Sequence, residues 1–143
     1  MASITGANSI VMIAVTNLFP VPQQLSGFAA DDVFDTDSLE SNEVVMGVDG
    51  ILSGGWVAVP VQQTYKLQPD SPSVFFFDTW WAAQQQLRDA LPANGVVTIK
   101  SVGRKWTMTR GFMTQYTPIP ANKKILQPLT YRVTWQSIFP ALA

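Results

Sequence analysis

Four carboxylates lie close together before the middle of the chain, at Asp35, Asp37, Glu40 and Glu43. Hard oxygen ligands at short spacing are what calcium requires. The spacing of an EF-hand loop is absent, however, and so is the glycine that such a loop needs at its centre. The pattern therefore favours a solvated or interface loop over a metal site.

The residue inventory excludes the common nucleophilic enzymes. The chain contains no histidine and no cysteine, so Ser-His-Asp and Cys-His arrangements, the usual zinc sites and disulfides are ruled out. Two carboxylates can hydrolyse a glycoside, but any chain with ten acids offers some such pair. The sequence therefore predicts no catalytic residue, no metal and no cofactor.

A basic, aromatic-bearing segment runs from Gly103 to Trp106. Bases stack on aromatic rings and phosphates pair with cations, so this segment is typical of a single-strand nucleic-acid platform. We expect Trp106 to point into the core instead. The alternative function is a single-strand nucleic-acid-binding β-barrel, and its candidate residues are Arg104, Lys105, Trp106, Lys123 and Lys124.

The charges are few and segregated. Only 13% of the 143 residues are charged, 47% are hydrophobic and the net charge is −1. Residues 31–49 hold seven acids and no base, and residues 100–143 hold seven bases and no acid. Either the fold mixes both signs on one surface, or subunits contact one another head to tail. Low charge also suits a subunit that is largely covered by its neighbours.

Most of the chain has the alternation of a β protein. The clearest strand is 129–136, where Leu129, Tyr131, Val133 and Trp135 share one face. Further strands are predicted at 10–18, 56–67, 96–101 and 105–116. The glycine-rich stretch 47–55 lacks a phosphate-loop motif and is interpreted as hairpin turns, with Asp49-Gly50 and Val102-Gly103 as turn dipeptides.

One segment has helical periodicity. Ser71 is the predicted N-cap, Pro72 the first helical residue and Pro92 the stop. The predicted buried stripe is Phe76, Trp80, Ala83, Leu87 and Ala90. Asp78 is predicted to lie early in the helix, where the helix dipole favours an acid. Phe75, Phe77 and Trp81 fall off this stripe, so either a subunit interface or a groove of the chain's own domain must cover them.

These patterns predict an α+β fold that is mainly β, an antiparallel β-sandwich or barrel with one flanking α-helix at about residues 72–91. Residues 1–143 form a single domain in this prediction. It carries a long acidic loop at about 20–43 and a Pro/Lys loop at about 117–128. The uncharged N-terminal residues lack a basic n-region and are broken by Asn17 and Pro20, so no signal peptide or membrane segment is predicted.

Several segments together resemble a tail protein of contractile-tailed bacteriophages, over roughly residues 8–140. They are Asp31-Asp32-Val33-Phe34, Glu43 to Gly50 with Ser53-Gly54-Gly55, Leu67 to Ser73, Lys124 to Tyr131, and Thr134-Trp135. The family member that the chain most resembles is the tail tube protein.

The resemblance implies a non-enzymatic virion protein of the tail, assembled in the host bacterial cytoplasm. Its hexameric rings would stack into a tube that conducts DNA into the host cell without binding it specifically. The implied partners are further copies of itself, the tail sheath protein, and baseplate and tail terminator proteins, with no membrane. A tube initiator, a terminator or another baseplate component is the nearest alternative.

The segregated charges suggest where subunits or rings meet. The acidic stretch from Asp31 to Glu43 is predicted to contact a neighbour, with the loop Thr117 to Gln127 as its complement. The uncharged N-terminal segment is a further candidate for crossing to a neighbour. The predicted contact residues are Asp31, Asp32, Asp35, Asp37, Glu40, Glu43, Lys123, Lys124, Arg104 and Lys105.

Overall fold

A computed structural model describes residues 9–28 and 34–142, which form nine strands and one α-helix. The elements are β1 (Ser9–Val15), β2 (Phe19–Leu25), β3 (Phe34–Thr36), β4 (Asn42–Met46), β5 (Leu52–Trp56), β6 (Val61–Leu67), α1 (Val74–Leu87), β7 (Ala93–Ile99), β8 (Arg104–Gln115) and β9 (Leu129–Leu142). The predicted class, mainly β with antiparallel strands and one helix, is confirmed.

Seven strands form one antiparallel sheet in the order β2-β1-β7-β8-β9-β6-β3, and β4 pairs with β5 in a separate two-stranded sheet. The long strand β9 links the two halves of the larger sheet. It pairs with β6 from Leu129 to Trp135 and with β8 from Arg132 to Leu142. Because β8 continues to pair with it, β9 extends six residues beyond the predicted end at Gln136.

The core lies between one face of the larger sheet and α1. Alternate residues of β1, β6 and β9 point to this face and are buried, as period two requires. The face predicted for 129–136 is confirmed, since Leu129, Tyr131, Val133 and Trp135 are all buried. The opposite face carries mainly polar, half-exposed side chains, among them Gln62, Thr64, Thr130 and Thr134.

The helix is shorter than predicted at both ends. It begins at Val74, with Ser73 at the N-cap position. The predicted cap Ser71 lies in the preceding turn, where its hydroxyl accepts the Ser73 N–H at 3.2 Å. The helix ends before Arg88, which has a left-handed φ of 53°, rather than at Pro92.

The predicted stripe of α1 is correct only in its first half. Phe76 and Trp80 are buried, but Leu87 is exposed, since the chain has left the core by the last helical turn. Phe77, predicted off the stripe, is fully buried because it stacks on Tyr131 of β9 at 4.3 Å between ring centroids. The groove of the chain's own domain therefore covers this ring. Asp78 lies in the second turn, not the first, and so does not serve the helix dipole.

The predicted irregular segment at 20–43 contains ordered strands. Pro20 to Leu25 belong to β2 and Phe34 to Thr36 form β3, which pairs with β6. Residues 29–33 lie outside the described part of the chain. The alternation predicted for 56–67 as one strand is divided by residues 57–60, so that Trp56 ends β5 and Val61 begins β6.

Candidate assembly surfaces

In the part of the chain that the structure describes, the strands of the β4–β5 hairpin pair only with each other. Asn42 lies opposite Trp56 at its base and Met46 lies opposite Leu52 next to its turn. Within the described residues, neither strand joins the seven-stranded sheet. Because an isolated two-stranded hairpin is only marginally stable in water, this element gains most from a surface that covers it.

The turn of the hairpin has well-defined geometry. The Gly47 N–H donates to the Ile51 carbonyl at 2.8 Å, and the Ile51 N–H donates to Asp49 Oδ1 at 3.1 Å. Gly50 has a φ of 85°, which glycine adopts without steric cost. The predicted Asp49-Gly50 turn is therefore confirmed.

One face of the hairpin is apolar. Residues that pair across antiparallel strands point to the same side, so Val44, Met46, Leu52 and Trp56 form one surface, here called the hairpin apolar face. These side chains are between 56% and 74% exposed. Apolar side chains grouped in this way mark an interaction site more often than a free surface.

The predicted Pro/Lys loop, residues 117–128 and here called the Lys loop, is an ordered turn. The Gln127 N–H donates to the Ala121 carbonyl at 3.1 Å, and the Thr117 hydroxyl donates to the Thr130 carbonyl at 2.7 Å. The first bond closes the loop on itself, and the second ties its start to β9.

The Lys loop presents cations beside apolar side chains. Lys123 and Lys124 are exposed, and so are Ile119, Ile125 and Leu126. The loop thus combines a positive charge with an uncovered apolar surface. This combination is the complement of an acidic, apolar partner.

The hairpin and the Lys loop lie at opposite ends of β6. The hairpin leads into the start of β6, where Val61 lies opposite Trp135. The Lys loop leads into the start of β9, where Leu129 lies opposite Leu67 at the other end of β6. A seven-residue strand is about 23 Å long, so one copy presents the two surfaces at separate ends.

The predicted acidic contact residues divide into two groups, and Asp31 and Asp32 lie outside the described residues. Asp35 and Asp37 border a cleft of about 290 Å³ on the outer face of β3, β6 and β9. The cleft is lined by Phe34, Asp35, Asp37, Thr64, Lys66 and Arg132. Two bases of the same chain therefore stand beside these acids, and Arg132 Nη1 also donates to Gln62 Oε1 at 2.9 Å.

The second acidic group belongs to the hairpin and its approach. Glu40 lies between β3 and β4 and is exposed, and Glu43 is an exposed residue of β4. Asp49 occupies the turn of the hairpin. Residues 41–57 contain no base, so the hairpin is acidic as well as apolar.

The structure does not bring the basic candidates together. Arg104 and Lys105 begin β8, whereas Lys123 and Lys124 follow its end. A twelve-residue strand is about 40 Å long, so the residues proposed for a single-strand nucleic-acid platform do not form one patch. Trp106 is half-buried against the core, and the Arg104 guanidinium lies 4.8 Å from its ring centroid.

A second apolar surface lies between β2 and α1. It is a groove of about 370 Å³ whose lining includes Phe19, Pro72, Phe75 and Phe76. Phe75 is exposed at its rim, which leaves one of the aromatic rings predicted off the stripe uncovered. No charged side chain lines the groove among the described residues.

The base of the Lys loop is anchored to α1 through Tyr116. Its hydroxyl donates to Asp78 Oδ1, and its ring stacks on Trp81 with 5.0 Å between centroids. Desolvation, and then the neighbouring Asp78 carboxylate, raise the pKa of Tyr116 to about 12. The neutral phenol is therefore the form that holds the loop and the helix together.

Within residues 9–28 and 34–142, no three acidic side chains are grouped closely enough to hold a metal ion. The four carboxylates at 35–43 are instead distributed between the cleft and the hairpin approach. In the same residues, no helix has both the length and the apolar character needed to cross a membrane.

A family model described as tail fiber protein gp32 matches residues 2–139. The chain belongs to this family. The relationship to phage tails that the resemblance implies is thus confirmed at the level of a tail-related structural protein. No protein among those of curated function matches the sequence.

The fold of this gp32-family chain is shared with contractile injection machines. A chain of the PVC extracellular contractile injection system, from the sheath-tube complex in its extended state, has a TM-score of 0.59 at 12% identity, covering 100% of this chain and 93% of the other. A chain of the anti-feeding prophage tube terminating cap has a TM-score of 0.58 at 12% identity, with the same coverage. A chain of the anti-feeding prophage baseplate has a TM-score of 0.53 at 14% identity, covering 93% and 91%.

Proposed function

We propose that this chain is the structural subunit of a contractile tail tube and that it assembles with copies of itself. The hairpin apolar face supports the proposal most directly. Complete burial of one aliphatic side chain contributes about 1.5–3 kcal/mol, so several together repay part of the cost of association.

The placement of the surfaces favours a repeating assembly over a closed dimer. A symmetric dimer joins the same patch of both copies, whereas two different patches at opposite ends join head to tail. Such contacts generate rings when the rotation closes and filaments when it does not. The proposed assembly is hexameric rings that stack into a tube, enclosed by the sheath and bounded by baseplate and terminator proteins.

The outer face of the larger sheet suits a water-filled lumen. Gln62, Thr64, Thr130 and Thr134 are half-exposed and uncharged, and the two cations on the same face of β6 and β9, Lys66 and Arg132, line a cleft together with Asp35 and Asp37. A lumen that passes DNA gains from few cations, because each phosphate contact would retain the passing strand. We therefore propose a structural, non-enzymatic role in which DNA is conducted without specific binding.

Negative-stain electron microscopy of the nuclease-treated, purified protein tests this function. Hollow tubes or rings without nucleic acid are the expected result. Single rings that never stack would instead favour the initiator, terminator or baseplate role. Separate subunits at the highest soluble concentration would contradict self-assembly.

A further inference from the structure

We infer that the hairpin of one copy docks on the Lys loop of the next copy, head to tail. The partner is thus a second copy of this chain, and its receiving surface is residues 117–128. This inference rests on the proposed function and adds to it the two surfaces that meet between successive copies.

The hairpin and the Lys loop both expose apolar side chains that a contact would cover. The hairpin exposes Val48 at its turn and Val44, Met46, Leu52 and Trp56 on one face, and the Lys loop exposes Ile119, Ile125 and Leu126. Docking removes both sets from water in one contact. It also gives the hairpin a second layer to pack against, which an isolated two-stranded sheet lacks.

The two surfaces also carry opposite charges. Asp49 lies at the turn beside the exposed Val48, in a hairpin without a base, and Lys123 and Lys124 belong to a loop without an acid. Glu43 pairs with Gly55 and points away from the hairpin apolar face, so it does not border this contact. Opposite charges at the rim of an apolar contact steer encounter and reject like-charged partners. Asp35 and Asp37 contribute less, because Lys66 and Arg132 line the same cleft.

The placement of the two surfaces in the fold also favours a head-to-tail contact. The hairpin and the Lys loop lie at opposite ends of β6, so the complementary surfaces of one copy are directed to two different neighbours. Each docking step leaves a free hairpin at one end and a free Lys loop at the other. The contact therefore propagates from copy to copy, and it becomes the stacking contact between rings when its rotation does not close.

The groove between β2 and α1 is the competing seat for the hairpin. Its described lining mixes apolar side chains with uncharged polar ones, and it carries no charge to match Asp49. The Lys loop offers both the apolar and the charged complement, so the observations favour it.

Disulfide mapping distinguishes the two seats, because the natural chain contains no cysteine. Chains carrying V48C are mixed with chains carrying I125C, assembled and oxidised under mild conditions. A disulfide forms readily only when the two Cα atoms approach within about 7 Å. The expected product is a V48C–I125C heterodimer, and a chain with both substitutions should give a ladder of higher multimers.

The control mixture pairs V48C with T79C, a position in the lining of the β2–α1 groove. Crosslinking in this mixture instead of with I125C would overturn the inference. So would normal tubes that give no V48C–I125C product, although the proposed function would survive that result. Failure of the unsubstituted chain to assemble would overturn both.

Charge exchange provides a second, independent test. K123E/K124E should raise the concentration needed for assembly about tenfold or more, because like charges then face each other. D49K should do the same, and a mixture of the two variants should co-assemble at close to the natural concentration. Unchanged assembly of both variants, or no recovery on mixing, would contradict the proposed pairing.

Discussion

The contact between α1 and the sheet and the β4–β5 hairpin both gather large apolar side chains, and they differ in what covers them. Trp80 and Phe77 are fully buried by the chain's own strands, whereas Trp56 is 74% exposed and Val44 59% exposed. One chain can complete the first cluster but not the second. The difference separates residues that fold a subunit from residues that are expected to join subunits.

Polar contacts follow the same division. In the core, Gln63 Oε1 accepts both the Tyr65 hydroxyl and the Trp135 Nε1–H, the latter at 3.1 Å. In the hairpin, the only side-chain bond described is local, from the Ile51 N–H to Asp49. Substitutions in the core should therefore change the free energy of unfolding, and those in the hairpin should change association.

The largest contrast is expected between two tryptophans. Trp80→Ala removes a buried ring and its hydrogen bond to the Leu91 carbonyl at 3.1 Å, so the free energy of unfolding should fall by about 3–5 kcal/mol. Trp56→Ala should change it by no more than about 0.5 kcal/mol. Denaturant unfolding at low protein concentration measures both, and equal losses would invalidate the division.

The buried glutamine should have the next largest effect. Gln63→Leu leaves the Tyr65 hydroxyl and the Trp135 indole N–H without their acceptor. The free energy of unfolding should fall by about 1–3 kcal/mol for each group. The matched control is Gln136→Leu, since Gln136 is exposed on β9. Comparable unfolding midpoints for the two variants would show that the network contributes little.

Two glycines extend the comparison to the backbone. A Cβ added at Gly111 would lie 2.3 Å from the Trp135 ring, whereas one at Gly55 in the hairpin would meet nothing within 4 Å. Gly111→Ala should therefore cost about 1–3 kcal/mol, and Gly55→Ala should be close to neutral. Thermal unfolding of the pair checks this, and a neutral Gly111→Ala would mean that the ring moves aside freely.

Raising the pH above about 10 should lower the free energy of unfolding through tyrosines that lie outside the hairpin. The pKa of Tyr116 is raised to about 12 in the folded chain, above its ordinary value of about 10. The stabilisation is therefore complete below pH about 10 and is lost as pH rises towards 12. Burial also raises the pKa of Tyr65 and Tyr131 in the folded chain, whereas residues 41–57 contain no tyrosine.

Denaturant unfolding between pH 9 and 12 should show this loss, and Tyr116→Phe should make it shallower. An equally steep fall in the free energy of unfolding of both proteins would show that ionisation of Tyr116 does not cause it.

Much of the fold could be predicted from local patterns. The alternation of apolar and polar residues identified the first part of β9, and the helix was placed correctly around Phe76 and Trp80. The helix ends were wrong because Arg88 adopts a left-handed φ and because the side chains of Ser71 and Ser73 hydrogen-bond to the backbone of Ser26, a distant residue in sequence. Phe77 could not be predicted as buried, since only its stack on Tyr131 decides its direction.

The assembly surfaces were predicted only in part. The charge pattern pointed to the acidic stretch and to the Lys loop, but the hairpin strands were missed. Their signal was present, because Val44-Val45-Met46 and Leu52 to Trp56 flank an Asp-Gly turn. Sequence could not show that this hairpin stands apart from the sheet or that Asp35 and Asp37 face Lys66 and Arg132, since the pairing of β3, β6 and β9 decides both.

Sedimentation velocity shows directly whether the hairpin apolar face joins subunits. The natural chain is compared with V44T/M46T/W56S, in which the hairpin apolar face is made polar while the core is untouched. We expect large assemblies for the natural chain and a folded monomer for the variant, with equal unfolding midpoints at concentrations low enough to dissociate the natural chain. Identical sedimentation of the two proteins, as monomers or as assemblies, would contradict it.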